Sequence, residues 1–145
     1  MVTILCIDDD LKILQVHKAV LGTRGYTVLT APDGLSGIAI TRSNSIDVVV
    51  TDYQMPPGMD GGRVAELLMK EKPTLPVVIC SGCLDEIPPW LKYGAHQLLA
   101  KGEGPSSLLS LVEKLVAVKA TAKKRTAPMK NKAPLYKKAC HKMAG

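Results

Sequence analysis

A chain of 145 residues is long enough for one ordinary domain and a short appendage, and its 46% apolar content with 3% aromatics and no Phe calls for an aliphatic core. No apolar run reaches the ~20 residues of a membrane span. The start, Met1-Val2-Thr3, carries no basic export signal, so a cytoplasmic protein with reduced thiols is expected. The net charge of +6 is split: residues 1–118 hold ten Lys/Arg and thirteen Asp/Glu, whereas residues 119–145 hold nine Lys/Arg and no acid. The composition therefore describes a mildly acidic domain over 1–118 and a basic tail over 119–145.

In chain order, the first apolar, β-branched run is "TILCI" (3–7), which ends on the acids Asp8, Asp9 and Asp10. A helical segment follows, with Ile13, Val16 and Val20 on one stripe and Leu14 and Leu21 beside it, closing at Gly22 and Gly25. "YTVLT" (26–30) reads as a second strand, and a helix with Leu35, Ile38 and Ala39 starts after Asp33-Gly34. "IDVVVT" (46–51) is the third strand; it leads through Asp60-Gly61 into a helix with Val64, Leu67 and Leu68. "PVVICS" (76–81) is the fourth, and Pro88-Pro89 restrict the next helix to a start at the prolines. "HQLLA" (96–100) is the fifth, before a helix with Ser106 or Ser107 as its cap and Leu108, Leu109, Val112, Leu115 and Val116 on its apolar face. Beyond Val118 the pattern dissolves into Lys, Ala and Pro, read as a disordered tail or a helix continuing to about Lys124.

Strands alternating with helices imply βαβ units and an α/β fold with a parallel sheet. Runs such as "VVV" and "VVI" lack alternation, which fits strands covered on both faces. Five such units make an open, doubly wound sheet whose ligands bind at the carboxyl ends of the strands. Those ends carry Asp8 and Asp9, then Asp52 followed by Tyr53 and Gln54, then Ser81, then Lys101. Converging carboxylates repel and raise one another's pKa. A Mg²⁺ ion resolves that conflict, because it takes oxygen ligands and bridges to phosphate. A lysine and a serine hydroxyl opposite it complete the contacts to the oxygens of a transferring phosphoryl group, and one carboxylate serves as nucleophile.

These residues resemble the receiver domain of two-component response regulators. The resemblance covers residues 3–118 and rests on "IDDD" (7–10), "VVVTDYQMPPGMDG" (48–61), "PVVICSG" (76–82), "GAHQLLAK" (94–101) and the final amphipathic helix. It implies a flavodoxin-like sheet of order 2-1-3-4-5 with helices on both faces. It implies Asp52 as phosphoacceptor, and Asp8, Asp9, Asp52 and the backbone carbonyl of Gln54 as Mg²⁺ ligands. Ser81 and Lys101 are implied as the hydroxyl and ammonium that meet the phosphoryl group, and Gly82 as the small neighbour that leaves it room. The implied donor is a sensor histidine kinase or phosphotransfer protein, and phosphorylation switches binding of an output protein. Such a domain assists its own phosphorylation and hydrolysis but turns over no separate substrate.

Three positions depart from the family pattern. Leu98 stands where the switch aromatic is usual, Gly102 follows Lys101 where proline is usual, and "DYQMPPGMDG" has one extra residue at Pro56 or Pro57. Two other readings stay open: a haloacid-dehalogenase-like phosphatase using Asp8 and Asp10, and a receiver-like interaction module without the chemistry. His17 reads as a helix-surface residue, and Trp90 and Tyr93 as local packing. "CSGC" (80–83) reads as a chance C-x-x-C, with Cys6 and Cys80 as core residues. The tail suits solubility or nonspecific contact with a polyanion; no helix-turn-helix pattern supports base-specific DNA recognition.

Overall fold

The computed structural model describes residues 1–92 and 96–124. The expectations for Tyr93 and for the tail beyond Lys124 fall outside the described residues. Five parallel strands, β1 (Thr3–Ile7), β2 (Thr27–Ala31), β3 (Val48–Asp52), β4 (Val77–Ser81) and β5 (His96–Ala100), form one sheet of order β2-β1-β3-β4-β5. Between and after them run α1 (Leu11–Gly22), α2 (Gly34–Ser43), α3 (Gly61–Glu71), the single-turn α4 (Pro89–Lys92) and α5 (Pro105–Lys124).

The period of two along each strand sorts the core into two layers. Ile4, Cys6, Val48, Val50, Val78, Cys80 and Leu99 pack with Leu14 and Leu21 of α1 and Leu108 and Val112 of α5. Leu5, Ile7, Val49, Val77 and Ile79 pack on the other face with Ile38 of α2, Val64, Ala65 and Leu68 of α3, and Leu91 of α4. Each central strand is thus apolar on both sides, which is why its sequence shows no alternation.

Register places the chemistry at one edge. Ile7 pairs with Ala31 and Thr51, Asp52 with Cys80, and Ser81 with Ala100, so the strands finish nearly level. Three helices then start from aspartate caps: Asp10 accepts from the Lys12 N–H (2.9 Å), Asp33 from Ser36 (2.8 Å) and Asp60 from Arg63 (2.8 Å). Each carboxylate satisfies a donor that the first turn leaves free and lies at the positive helix end.

Several sequence readings shift. In α1 the buried positions are Leu14 and Leu21, with His17 half-buried between them, while Val16 is 44% exposed. Packing against β1 and α5 selects the Leu14–Leu21 face, which leaves Ile13, Val16 and Val20 on its flank. In α2, Leu35 and Ala39 are exposed, and the buried residues are Gly34, Gly37, Ile38 and Thr41. A Cβ on Gly37 would stand 2.3 Å from Ile7 Cδ1, so this helix lies closer to the sheet than larger residues allow. β2 runs 27–31 rather than 26–30, and β3 starts at Val48, because Asp47 turns its carboxylate to the Thr3 N–H (2.8 Å). Neither Ser106 nor Ser107 caps α5: the helix begins at Pro105 behind Gly104, whose φ of 85° suits glycine, and Ser107 Oγ donates to the Glu103 carbonyl (3.1 Å). Trp90 is 53% exposed rather than packed; Ile87 and Leu91 fill the space beneath α4.

Candidate functional site

The sheet's carboxyl edge brings the sequence-selected residues to one mouth. β1 ends in Asp8 and Asp9, β3 in Asp52, β4 in Ser81 and Gly82, and β5 in Lys101; with Asp10, Gln54, Cys83 and Glu86 they line an opening of about 400 Å³. Asp8 is 3%, Asp52 5% and Ser81 2% exposed, whereas Asp9 lies open to solvent.

Carboxylate oxygens of Asp8, Asp9 and Asp52 lie within 4.8 Å of one another. Burial pushes the Asp8 carboxyl up to about 6; the Asp10 N–H opposes this, the Asp52 charge adds to it, Lys101 opposes it, and Asp9 adds to it. The Asp10 N–H donates to Asp8 Oδ1 at 2.9 Å and fixes that carboxylate at the strand end. Lys101 Nζ stands 2.8 Å from Asp52 Oδ1. Burial works against the Lys101 charge, but its bond to Asp52 and the fields of Asp52 and Asp8 outweigh it, so its pKa is raised. One ammonium therefore faces three carboxylates, a charge imbalance that a divalent cation would correct.

The other residues sit as follows. Ser81 Oγ donates to the Cys83 carbonyl (2.9 Å) and accepts from the Cys83 N–H (3.1 Å), so its hydroxyl closes a tight turn. A Cβ on Gly82 would meet nothing within 4 Å, which leaves the space beside Ser81 open. The Gln54 side chain donates to Glu86 Oε2 (2.5 Å) at the rim. Asp10 is committed to its cap on α1. Leu98 pairs with Ile79 in the sheet and packs against the core below α3 and α4. The one cis peptide among the described residues joins Pro56 to Pro57, so the Lys101–Gly102 bond is trans. Cys80 is buried and its thiol pushed up to about 12 by burial and then the Asp52 charge, while Cys83 is exposed, an arrangement unlike a redox pair.

Sequence reasoning missed two participants. Cys83 matters through its backbone, which no side-chain pattern reveals. Glu86, tied to Gln54, follows β4 in "CLDE", where the acids were the available signal. His17 was read as surface, yet its Nδ1 is shielded from solvent without a partner.

A family model described as "Response regulator receiver domain" matches residues 4–113. The transcriptional regulatory protein GlrR of Escherichia coli is 27% identical over 112 residues, 76% of this chain and 25% of GlrR. The DNA-binding transcriptional regulator NtrC of Salmonella typhimurium is 31% identical over 113 residues, 77% of this chain and 24% of NtrC. The chain thus spans about a quarter of the length of these relatives. Among solved structures, a receiver domain protein from Clostridium thermocellum superposes with a TM-score of 0.75 at 33% identity, covering 84% of this chain and 99% of that one. The response regulator TrrA of Thermotoga maritima, solved in complex with Mg²⁺-BeF, superposes with a TM-score of 0.73 at 27% identity, covering 79% and 99%. With the sheet order, the acidic mouth and the family match over most of its length, the chain belongs to the receiver domain family of two-component response regulators.

Proposed function

We propose that Asp52 accepts a phosphoryl group from the phosphohistidine of a sensor histidine kinase or phosphotransfer protein, and that the modified surface switches binding of an output protein. The observation that carries this reading is the buried Asp52 held by Lys101 at 2.8 Å within a cluster of three carboxylates. Asp8, Asp9, Asp52 and the Gln54 carbonyl would hold Mg²⁺. Its donor set fits: hard oxygen ligands with an excess of negative charge. When bound, the ion supplies charge neutralisation to phosphoryl oxygens.

In this reading an Asp52 oxygen attacks phosphorus in line. The new O–P bond forms as the P–N bond to the donor histidine breaks, and the electron pair returns to the imidazole. Lys101 exchanges part of its contact with Asp52 Oδ1 for an incoming phosphoryl oxygen, so its charge stays partnered throughout. Ser81 donates to a second oxygen after releasing the Cys83 carbonyl, which loosens the turn that leads to Glu86 and α4. The open space at Gly82 admits the group. The chain's contribution is positioning and electrostatics, with no separate substrate turned over.

The donor and output protein act in the cytoplasm in this reading, and no described helix is long and apolar enough to cross a membrane. Within the basic stretch 119–145, Lys119 pairs with Asp47 from α5, and the basic residues that follow α5 give capacity for nonspecific polyanion contact. Intact-mass measurement after incubation with acetyl phosphate and Mg²⁺ tests the core of the proposal. The native chain should gain one phosphoryl mass and Asp52→Asn none. Gain by Asp52→Asn with loss in Asp8→Asn would instead assign the nucleophile to Asp8.

A further inference from the structure

We propose that His96 is an acid-operated latch on β5: neutral, it keeps the amino end of this strand seated, and a proton on its ring releases that end from β4. β5 is an edge strand, paired on one side only, and it leads directly into Lys101 beside Asp52. His96 is its first residue and stands opposite Val77 of β4. By the period of two its side chain shares the face of Leu98, which packs against the core below α3 and α4. The ring is 4% exposed, and neither Nδ1 nor Nε2 has a hydrogen-bond partner among the described residues.

A neutral imidazole tolerates such a place; an imidazolium, with two N–H donors and a full charge, does not. No neighbouring acid is set to receive it. Over this face α3 carries Arg63, Glu66, Lys70 and Glu71, the turn Leu84–Glu86 carries Asp85 and Glu86, and α4 carries Lys92. Glu66 pairs with Arg63 and Lys70, Glu71 with Arg42, and Glu86 accepts from Gln54, while Asp85 is exposed. Burial is the single cause that lowers the His96 pKa. A protonated ring therefore finds relief only in water. The way out is short, because the turn Leu84–Glu86 and the single-turn α4 are the non-strand elements packed most closely on β5, and a strand held by one neighbour opens more readily than a central one. The folded ring binds its proton more weakly than the unfolded one, whose pKa is near 6.5. The stability that neutral His96 contributes is thus complete above pH 6.5 and is lost as pH falls below it.

The latch does not depend on phosphorylation of Asp52, so it stands or falls apart from the function proposed above. The test is amide hydrogen exchange of the full chain in chelator from pH 7.5 to 4.5, corrected for the intrinsic exchange rate and read as the protection of Gln97, Leu98 and Leu99 relative to that of Leu5 and Cys6 in β1. Asp8 and His17 also titrate, but they sit after β1 and on α1, and a loss of the whole fold lowers both strands alike; the ratio isolates β5. From pH 6.5 downward the ratio should fall by up to about tenfold per pH unit, the slope of one proton taken up on opening. His96→Leu, close in volume and unable to take a proton, should make the ratio independent of pH. A flat ratio in the native chain, a slope that persists in a folded His96→Leu variant, or a His96 ring that titrates at 6.5 by NMR while β5 stays protected would overturn the assignment. The two measurements on the native chain decide the matter even if the variant fails to fold.

Discussion

Gly61 opens α3 directly against the end of β3, and its replacement by alanine should damage fold and site together. A Cβ there would stand 2.2 Å from the Asp52 carbonyl oxygen, 2.9 Å from Tyr53 Cα and 3.0 Å from the Asp52 carbonyl carbon. All three are backbone atoms, so no rotamer change relieves the clash. The Gly61 N–H also donates to the Tyr53 carbonyl at 2.7 Å, which holds the two segments together at this point. Relief requires the helix start and the strand end to separate by roughly 1 Å. If α3 retreats, Val64, Ala65 and Leu68, all fully buried, lose close packing. If β3 yields, Asp52 leaves its place opposite Lys101. Such backbone-limited overpacking should cost about 3 kcal/mol, the upper part of the range for inserted methyl groups. A urea midpoint should therefore fall by about 1–3 M at unchanged slope. A displacement near 1 Å at Asp52, the proposed nucleophile, can cost as much as ~100-fold in rate, so phosphorylation by acetyl phosphate should slow by at least tenfold. Gly82→Ala is the control: its Cβ meets nothing within 4 Å, and stability should stay within about 0.5 kcal/mol. A Gly61→Ala protein as stable as the control and phosphorylated at the native rate would refute the argument.

Other perturbations probe the electrostatics. Asp8, 3% exposed and with its carboxyl raised to about 6 from an ordinary 3.8, binds a proton more tightly folded than unfolded, so its ionisation destabilises the metal-free fold as pH rises from about 4 through 6. Asp8→Asn should thus stabilise the metal-free protein at pH 7 by as much as ~3 kcal/mol, with little gain at pH 4 and the advantage reduced by Mg²⁺ for the native chain; urea titrations with chelator and with Mg²⁺ at both pH values check this. Lys101→Met leaves buried Asp52 without its cation and should cost about 2 kcal/mol in chelator, read as a lower urea midpoint. Ser81→Ala should retain Mg²⁺ binding while slowing phosphorylation, and should raise hydrogen exchange at the Cys83 amide, which loses its acceptor. Peptide mapping after alkylation of the native protein should find Cys83 modified and Cys6 and Cys80 protected, since burial pushes both of the latter thiols up to about 12.

The strand ends were legible because unbroken apolar runs stop abruptly at polar residues, and a parallel sheet gathers those stops at one edge. Asp52, Ser81 and Lys101 needed only that rule. What escaped the sequence lies in backbone and phase. The hydroxyl of Ser81 is taken by peptide groups of Cys83, and Gly37 and Gly61 mark backbone approaches that no periodicity announces. In α1 the apolar positions form two overlapping stripes, and only packing against β1 and α5 decides that Leu14 and Leu21 face inward with His17 while Val16 stays at the surface. Trp90 misled through its size: the single turn at Pro89–Lys92 buries Leu91 and leaves the indole outside.

The amino edge of the sheet has its own fastening. Asp47 binds the Thr3 N–H and pairs with Lys119 Nζ at 3.2 Å, which joins the start of β1, the entry to β3 and the later turns of α5. α5 has 20 residues and so extends about 30 Å, carrying the chain from beside Lys101 to the far side of the domain. A pull on the residues after Lys124 is thus borne at Asp47 and spread into the two central strands, on the side away from the acidic mouth. The domain can thus be held at this edge while the acidic mouth, on the opposite edge of the sheet, stays open.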